Sequence, residues 1–324
     1  MQIELDRPAT GTRTRAPGTC GELVQGHIDG QDFLVNCPID LFSFATAQPI
    51  EKSGLHFANA HLFGKVLDAI TLAAHRFGLV LRHRLAVSSS IPRGKGMASS
   101  TADITAGLAA VLQSCGARVS PQMFSYLVAE VEPSDCTNFD GIAHVNHLTG
   151  DLIETLPPPE NLRALIVDCG GELDTIGFDR ETARDVYRHQ RQRVVMALAL
   201  LKRGLHLRRD DWVAEAATES ARLSQSILFK PQFETLLDAA RDVGALGVNC
   251  AHSGTVLGVL YRGRDRLRER LTDRVRREFG ETLSVVGDHQ IIGGGCLNET
   301  KGRSQVFLTP SGVPDAKQQI WGRS

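Results

Sequence analysis

The chain has 324 residues, 42% of them hydrophobic, which is enough for one large or two ordinary domains with real cores. Lysine and arginine number 36 against 37 aspartates and glutamates, and a formal charge of -1 argues against an extended basic footprint for nucleic acid. The most apolar run, 194–201, is far shorter than the roughly 18 residues a membrane span needs. The polar, charged N-terminus lacks the apolar core of a signal peptide, and the seven cysteines are scattered without CxxC pairs. A cytoplasmic protein with free thiols and no membrane partner is expected.

In chain order, residues 12–44 read as strands and turns, broken at Pro17-Gly18, Asp29-Gly30 and Pro38. Residues 62–77 place Val66, Ala69, Ile70 and Ala73 at helical spacing, with Gly78 as the stop. A strand over 81–89 leads into a glycine-containing loop over 90–98. A helix of small residues over 99–112 follows and ends before Gly116. Another helix, 121–131, is stopped by Pro133. The run Pro157-Pro158-Pro159 marks the best domain boundary, giving units 1–159 and 160–324. Beyond it, 162–167 reads as a buried strand, 181–202, 212–226 and 232–243 as helices, and 256–261 and 283–292 as strands. Helices and strands that mix without strict alternation favour an α+β fold.

The stretch Pro92-Arg93-Gly94-Lys95-Gly96-Met97-Ala98-Ser99-Ser100-Thr101-Ala102-Asp103 carries the most chemistry. A strand, a glycine-rich turn and a helix opening on three hydroxyl residues bring backbone N–H groups and a positive dipole end to one place, suited to phosphate. Ser99, Ser100 and Thr101 can bind phosphate or a phosphate-bound Mg²⁺, and Arg93 and Lys95 add positive charge. Local composition fits an ordinary side-chain-capped helix about as well. The loop is not a Walker A motif, since no GxxxxGK[ST] occurs in the chain, and Gly293-Gly294-Gly295 reads as a tight turn.

A second cluster, Glu130-Val131-Glu132-Pro133-Ser134-Asp135, sets carboxylates at a helix C-terminus, where the dipole disfavours them. Phosphoryl transfer uses carboxylates to hold Mg²⁺ and to orient or deprotonate a hydroxyl, whereas a solvated Asx-type turn is the plain structural reading. Asp103, one turn into the phosphate-loop helix, either serves the helix dipole or meets a substrate ammonium or metal. His144 and His147 lack a third ligand at metal spacing. Cys20, Cys136 and Cys250 read as small buried hydrophobes rather than nucleophiles.

The phosphate-loop segment resembles the P-x-x-x-G-L-G-S-S-A-A loop of the GHMP kinases, with Met97, Ala98 and Thr101 replacing Leu, Gly and Ala. Ala16-Pro17-Gly18-Thr19-Cys20-Gly21-Glu22-Leu23 resembles the family's N-terminal motif, with Thr19 where many members carry Lys. Gly247–Val256, containing Ala251-His252-Ser253-Gly254-Thr255, resembles its C-terminal glycine-rich motif. The wording PGTCGELVQG, EPSD and AHSGTV is similar to the threonine-phosphorylating branch that serves cobalamin biosynthesis.

The resemblance implies a ribosomal-protein-S5-like N-terminal domain, a ferredoxin-like C-terminal domain and ATP-dependent phosphorylation of a small-molecule alcohol, L-threonine first. ATP and Mg²⁺ are the implied cofactors. Pro92, Gly94 to Thr101, Ser253 and Gly254 would hold the nucleotide, and Ser100 with Glu132 would hold the metal. Glu132, Asp135 and Ser100 would form the catalytic set, although Asp135 is offset from the family's P-S-G-x-D. Glu22, Gln25, Asn36, Asp103 and Thr255 are the candidates for the acceptor. A related kinase acting on homoserine or a similar alcohol, and a non-catalytic sensor on the same fold, stay open as alternatives.

Overall fold

The computed structural model describes residues 4–5, 11–170, 180–263, 265–299 and 304–305, so most of the polar N-terminal stretch lies outside the described residues. A short strand β1 (Glu4–Leu5) precedes the long hairpin of β2 (Thr12–Ile28) and β3 (Gln31–Pro49). Asp29-Gly30 turns that hairpin with φ of 51° and 82°, the two left-handed residues that a type I′ turn requires. Next come β4 (Gly54–Phe57), α1 (Gly64–Phe77), β5 (Arg82–Ser89), α2 (Ser99–Ser114), β6 (Ala117–Arg118) and α3 (Pro121–Ala129). A second hairpin, β7 (Ile142–Asn146) and β8 (Asp151–Leu156), was not resolved from the sequence.

After the proline run come β9 (Leu162–Asp168), α4 (Arg180–His189), α5 (Arg191–His206), α6 (Asp210–Ser224) and α7 (Phe233–Asp242). The remaining elements are β10 (Gly247–Cys250), β11 (Val256–Arg262), α8 (Asp265–Phe279), β12 (Ser284–Gln290), β13 (Leu297–Asn298) and β14 (Ser304–Gln305). The single helix expected over 181–202 is two helices, interrupted at Gln190, whose φ of -106° is not helical. The helical pattern of α8 is masked in the sequence because its segment is dominated by charge. Leu271, Val275 and Phe279 nevertheless recur every four residues and are the ones it buries.

The main sheet runs in the order β12-β9-β11-β10-β2-β3-β5-β4. Its β12-β9-β11-β10 part is antiparallel, and with the intervening helices it has the ferredoxin-like β-α-β-β-α-β connection. The mixed α+β, two-part architecture expected from the sequence is therefore present. The two parts are stitched together where Cys250 of β10 pairs with Glu22 of β2. Between its long strands and α1 the molecule packs α2, which is buried almost all round because its positions are Ala, Gly, Thr and Leu. This burial fixes the direction of α2 and aims its N-terminus at the junction of the two parts.

Candidate active site

The loop entering α2 places Gly94, Gly96 and Ala98 at φ of 69°, 79° and 54°. Left-handed residues at alternate positions turn successive N–H groups toward one concavity, an anion-binding arrangement. Ala98 is the residue before the first turn of α2, and no side chain caps that turn. The capped-helix reading therefore does not hold, and no side chain satisfies the N-terminal donors of α2. Holding a Cβ at Ala98 in this region costs about 1–2 kcal/mol, a strain of the kind found at functional sites.

The three glycine-containing motifs meet at this loop. Thr19 of β2 donates its N–H to the Met97 carbonyl at 3.0 Å, and Thr255 and Val256 donate theirs to the Lys95 carbonyl at 3.1 and 3.2 Å. Gly254 packs backbone to backbone on Gly96: a Cβ on Gly254 would lie 2.4 Å from the Gly96 Cα and from the Lys95 oxygen. Because the obstructing atoms are main chain, Gly254→Ala must push the loop aside. A displacement approaching 1 Å is expected to lower kcat at least tenfold while the melting temperature changes little, measured by steady-state kinetics and thermal unfolding.

Two cavities flank the loop and share Lys65, Gly94, Ser99 and Ser100. The larger, about 520 Å³, is walled by the loop from Gly96 to Thr101, by Glu132 to Asp135, and by Glu22, His147, His252 and Ser253. The other, about 460 Å³, lies against Leu62, Phe63, Arg93 and Asp103. The Arg93 guanidinium stacks 4.6 Å from the Phe63 ring centroid at its edge.

Three carboxyl groups converge on the larger cleft. Glu132 follows the last turn of α3 and pairs through Oε2 with Lys65 Nζ at 2.5 Å. Its Oε1 is buried and has no hydrogen-bond partner among the described residues. Asp135 accepts a hydrogen bond from Thr19 Oγ1 at 3.2 Å, and burial together with the charge of Glu132 pushes its pKa up to about 6. Glu22 accepts the His252 N–H at 2.6 Å. Burial first, then the proximity of Asp135, raises its carboxyl well above the usual range. β2 is bulged at three points between Pro17 and Val24, and these irregularities bring Thr19 and Glu22 to the same site.

His147 and His252 stand with ring centroids 5.2 Å apart, and burial lowers their pKa values to about 4 and about 3. Neutral imidazoles thus form one wall of the cleft. His147 was not expected as a cleft residue, while His252 sits inside the third motif. Lys65 and Arg180 were also missed, because each reads as an ordinary surface charge in its helix.

Several candidates lie elsewhere. Asn36 donates to the Asp135 carbonyl at 3.0 Å and accepts from the Ala143 N–H at 2.8 Å, so its amide braces the Asp135 segment and is wholly buried. Gln25 turns toward α6 and bonds Ser224 Oγ at 2.6 Å. Asp103 borders the second cavity, its oxygens engaged by Ser43 at 2.6 Å and Arg93 at 3.2 Å. Pro92, Lys95, Gly254 and Thr255 line neither cavity. Lys95 pairs with Asp168 at 2.8 Å, and Thr255 is buried behind the loop. His144 pairs with Glu154 at 3.0 Å.

The GHMP kinases N terminal domain matches residues 62–145, and the GHMP kinases C terminal domain matches residues 197–281. The chain is 32% identical to the L-threonine kinase of Salmonella typhimurium over 255 residues, 76% of this chain and 81% of that protein. It is 29% identical to the L-threonine kinase of Citrobacter freundii over 248 residues, 76% of this chain and 85% of that one. Its fold matches the crystal structure of homoserine kinase from Cytophaga hutchinsonii with a TM-score of 0.69 and 17% identity, covering 91% of this chain and 99% of that one. With both domain models matched and relatives of this kind, the chain belongs to the GHMP kinase family.

Proposed function

We propose that this protein is an ATP-dependent L-threonine kinase that converts the side-chain hydroxyl of threonine to a phosphate ester. What carries the reading is the meeting of the uncapped α2 N-terminus with Glu132, Asp135 and Glu22 in one cleft, in a chain 32% identical to an L-threonine kinase. The second cavity, with the Phe63 ring and Arg93, suits the nucleoside. The concavity from Gly94 to Ser100 suits the phosphates. On this reading residues 1–159 form the nucleotide-holding unit and 160–324 the unit that closes the acceptor side.

The donor set fits Mg²⁺. Glu132 Oε1 is a buried carboxylate oxygen lacking a partner, and Ser100 lines the same cleft, so Glu132 and Ser100 would hold the ion. When bound, Mg²⁺ neutralises charge on the phosphate oxygens. The protein's own groups do the rest. The N–H groups of the loop and α2 orient the phosphates, and Lys65, at the boundary of both cavities, supplies a positive charge beside them. Asp135, ionised at neutral pH, takes the proton of the threonine hydroxyl as its oxygen bonds to the γ-phosphorus and the bond to the ADP oxygen breaks. On this reading Glu22, rather than Asp103, meets the acceptor's ammonium, and His147 and His252, which line the same cleft, exclude water.

The product on this reading is O-phospho-L-threonine, for the aminopropanol linker of adenosylcobalamin, made in the cytoplasm. The deciding experiment compares kcat/KM for L-threonine, L-serine and L-homoserine at saturating Mg-ATP. Threonine should lead serine by about 10–200-fold, the range one methyl group in a pocket can supply. A preference for homoserine would defeat the threonine assignment while leaving a kinase.

A further inference from the structure

We propose that the turn Gly293-Gly294-Gly295 positions Asp135 by clamping the stretch that follows it, residues 137–141; this rests on the reading of Asp135 as the base. Asp135 lies in the connection between α3 and β7, where residues 133–140 belong to no helix or strand. A side chain on such a segment is placed only as well as its neighbours hold the backbone. On one side, Asn36 Nδ2 donates to the Asp135 carbonyl at 3.0 Å, and the Ser134 N–H donates to the His147 carbonyl at 2.9 Å. Cys136, next in the chain, sits at φ of 50°, a left-handed conformation that a residue with a Cβ keeps only where its surroundings impose it.

The triglycine turn holds the other side. The Gly294 N–H donates to the Gly141 carbonyl at 2.7 Å, and the Gly295 N–H donates to the Thr137 carbonyl at 2.8 Å. The contact is backbone on backbone. A Cβ on Gly294 would lie 2.5 Å from the Phe139 oxygen and 2.9 Å from the Thr137 oxygen, and one on Gly293 would lie 3.2 Å from the Gly141 Cα. A clamp transmits position only when its own ends are fixed, and these are. Before the turn, the Ile292 N–H donates to the Pro38 carbonyl of β3 at 2.9 Å; after it, Leu297 of β13 pairs with Arg15 of β2. β3 also carries Asn36, so both supports of the Asp135 segment refer to one strand. The turn lines neither cavity, so its influence on transfer must pass through the segment it holds.

The test places Gly294→Ala and Gly293→Ala in the wild-type and Asp135→Asn backgrounds. With Asp135 present, Gly294→Ala should lower kcat about tenfold or more and leave the KM for Mg-ATP within about twofold, since a misplacement of about 1 Å can cost about a hundredfold. Gly293→Ala meets a looser contact and should do the same to a smaller degree. In the Asp135→Asn background neither should change kcat by more than about twofold, because substitutions that act through one group do not add. Gly280→Ala is the control for lost stability alone: at φ of 52°, with nothing within 4 Å of its Cβ, it should lower the melting temperature and leave kcat at wild type. Glycine variants with wild-type kcat overturn the proposal. So does a loss of kcat that persists at full size in Asp135→Asn, which would mean that the turn acts on another group. Failure of both glycine variants to fold overturns it too, by assigning the turn to stability alone. If Asp135→Asn by itself turns over like wild type, the base reading fails and this proposal with it, an outcome distinct from the others.

Discussion

Asp135→Asn is expected to lower kcat by about 10²–10⁴-fold, the range associated with loss of a positioned general base. The amide is nearly the same shape and still accepts a hydrogen bond from Thr19, so the site should keep its form. In the wild-type enzyme kcat/KM should rise with pH through an apparent pKa of about 6 and then level, because the base must be unprotonated to act. The variant should lack that inflection.

The same shift makes a prediction about stability with the opposite sign to activity. Folding raises the Asp135 pKa from 3.8 to about 6, so the native state favours the protonated carboxyl. That contribution is fully present below pH 3.8 and is lost as pH rises through 6. Above pH 6 the ionised group costs up to about 3 kcal/mol, and less in practice because Asp135 is partly solvated. Asp135→Asn should therefore melt higher than wild type at pH 8, by about 1–2 kcal/mol, and the difference should vanish near pH 4. Thermal unfolding at the two pH values checks this. Wild-type turnover in the variant would show that transfer needs no carboxylate at this position.

Glu132→Gln is expected to cost about a hundredfold or more in turnover, comparable to removing one preorganised charge-stabilising group from a transition state. The variant loses the anion that Mg²⁺ prefers and also releases Lys65 from its 2.5 Å ion pair. Nucleotide affinity measured in EDTA should be unchanged or tighter, since a freed ammonium can approach the phosphates. The Mg²⁺ concentration needed for half-maximal activity should rise. Turnover and Mg²⁺ dependence both equal to wild type would remove Glu132 from the metal site.

The loop entering α2, the proposed phosphate site, was legible because a glycine-rich turn is a local feature. Glycines at 94 and 96 and hydroxyls from 99 to 101 specify a backbone that can present N–H groups, whatever surrounds it. The small-residue composition of 99–114 likewise foretold a helix that could be enclosed on all sides. The acceptor side was less legible. Gln25 and Asn36 stood near the first motif in the chain, but the pleat and bulges of β2 and β3 turn Gln25 toward α6 and Asn36 toward the Asp135 segment. Asp103 follows Ser100 by one helical turn, yet which flank of α2 faces which cavity depends on what packs against it.

The sequence by itself determined the family, the α+β composition and the glycine-rich turn entering α2, because each is written in short-range backbone preferences and in the order of three motifs. Only the tertiary structure decided how the site is charged. Glu22 meets the backbone of His252 across 230 residues, and Lys65 meets Glu132 across 67. Lys230 Nζ is buried without a hydrogen-bond partner among the described residues. The physical reason is that desolvation and Coulomb energies depend on distances set by closing one sheet across both halves, and those distances leave no local trace in the chain.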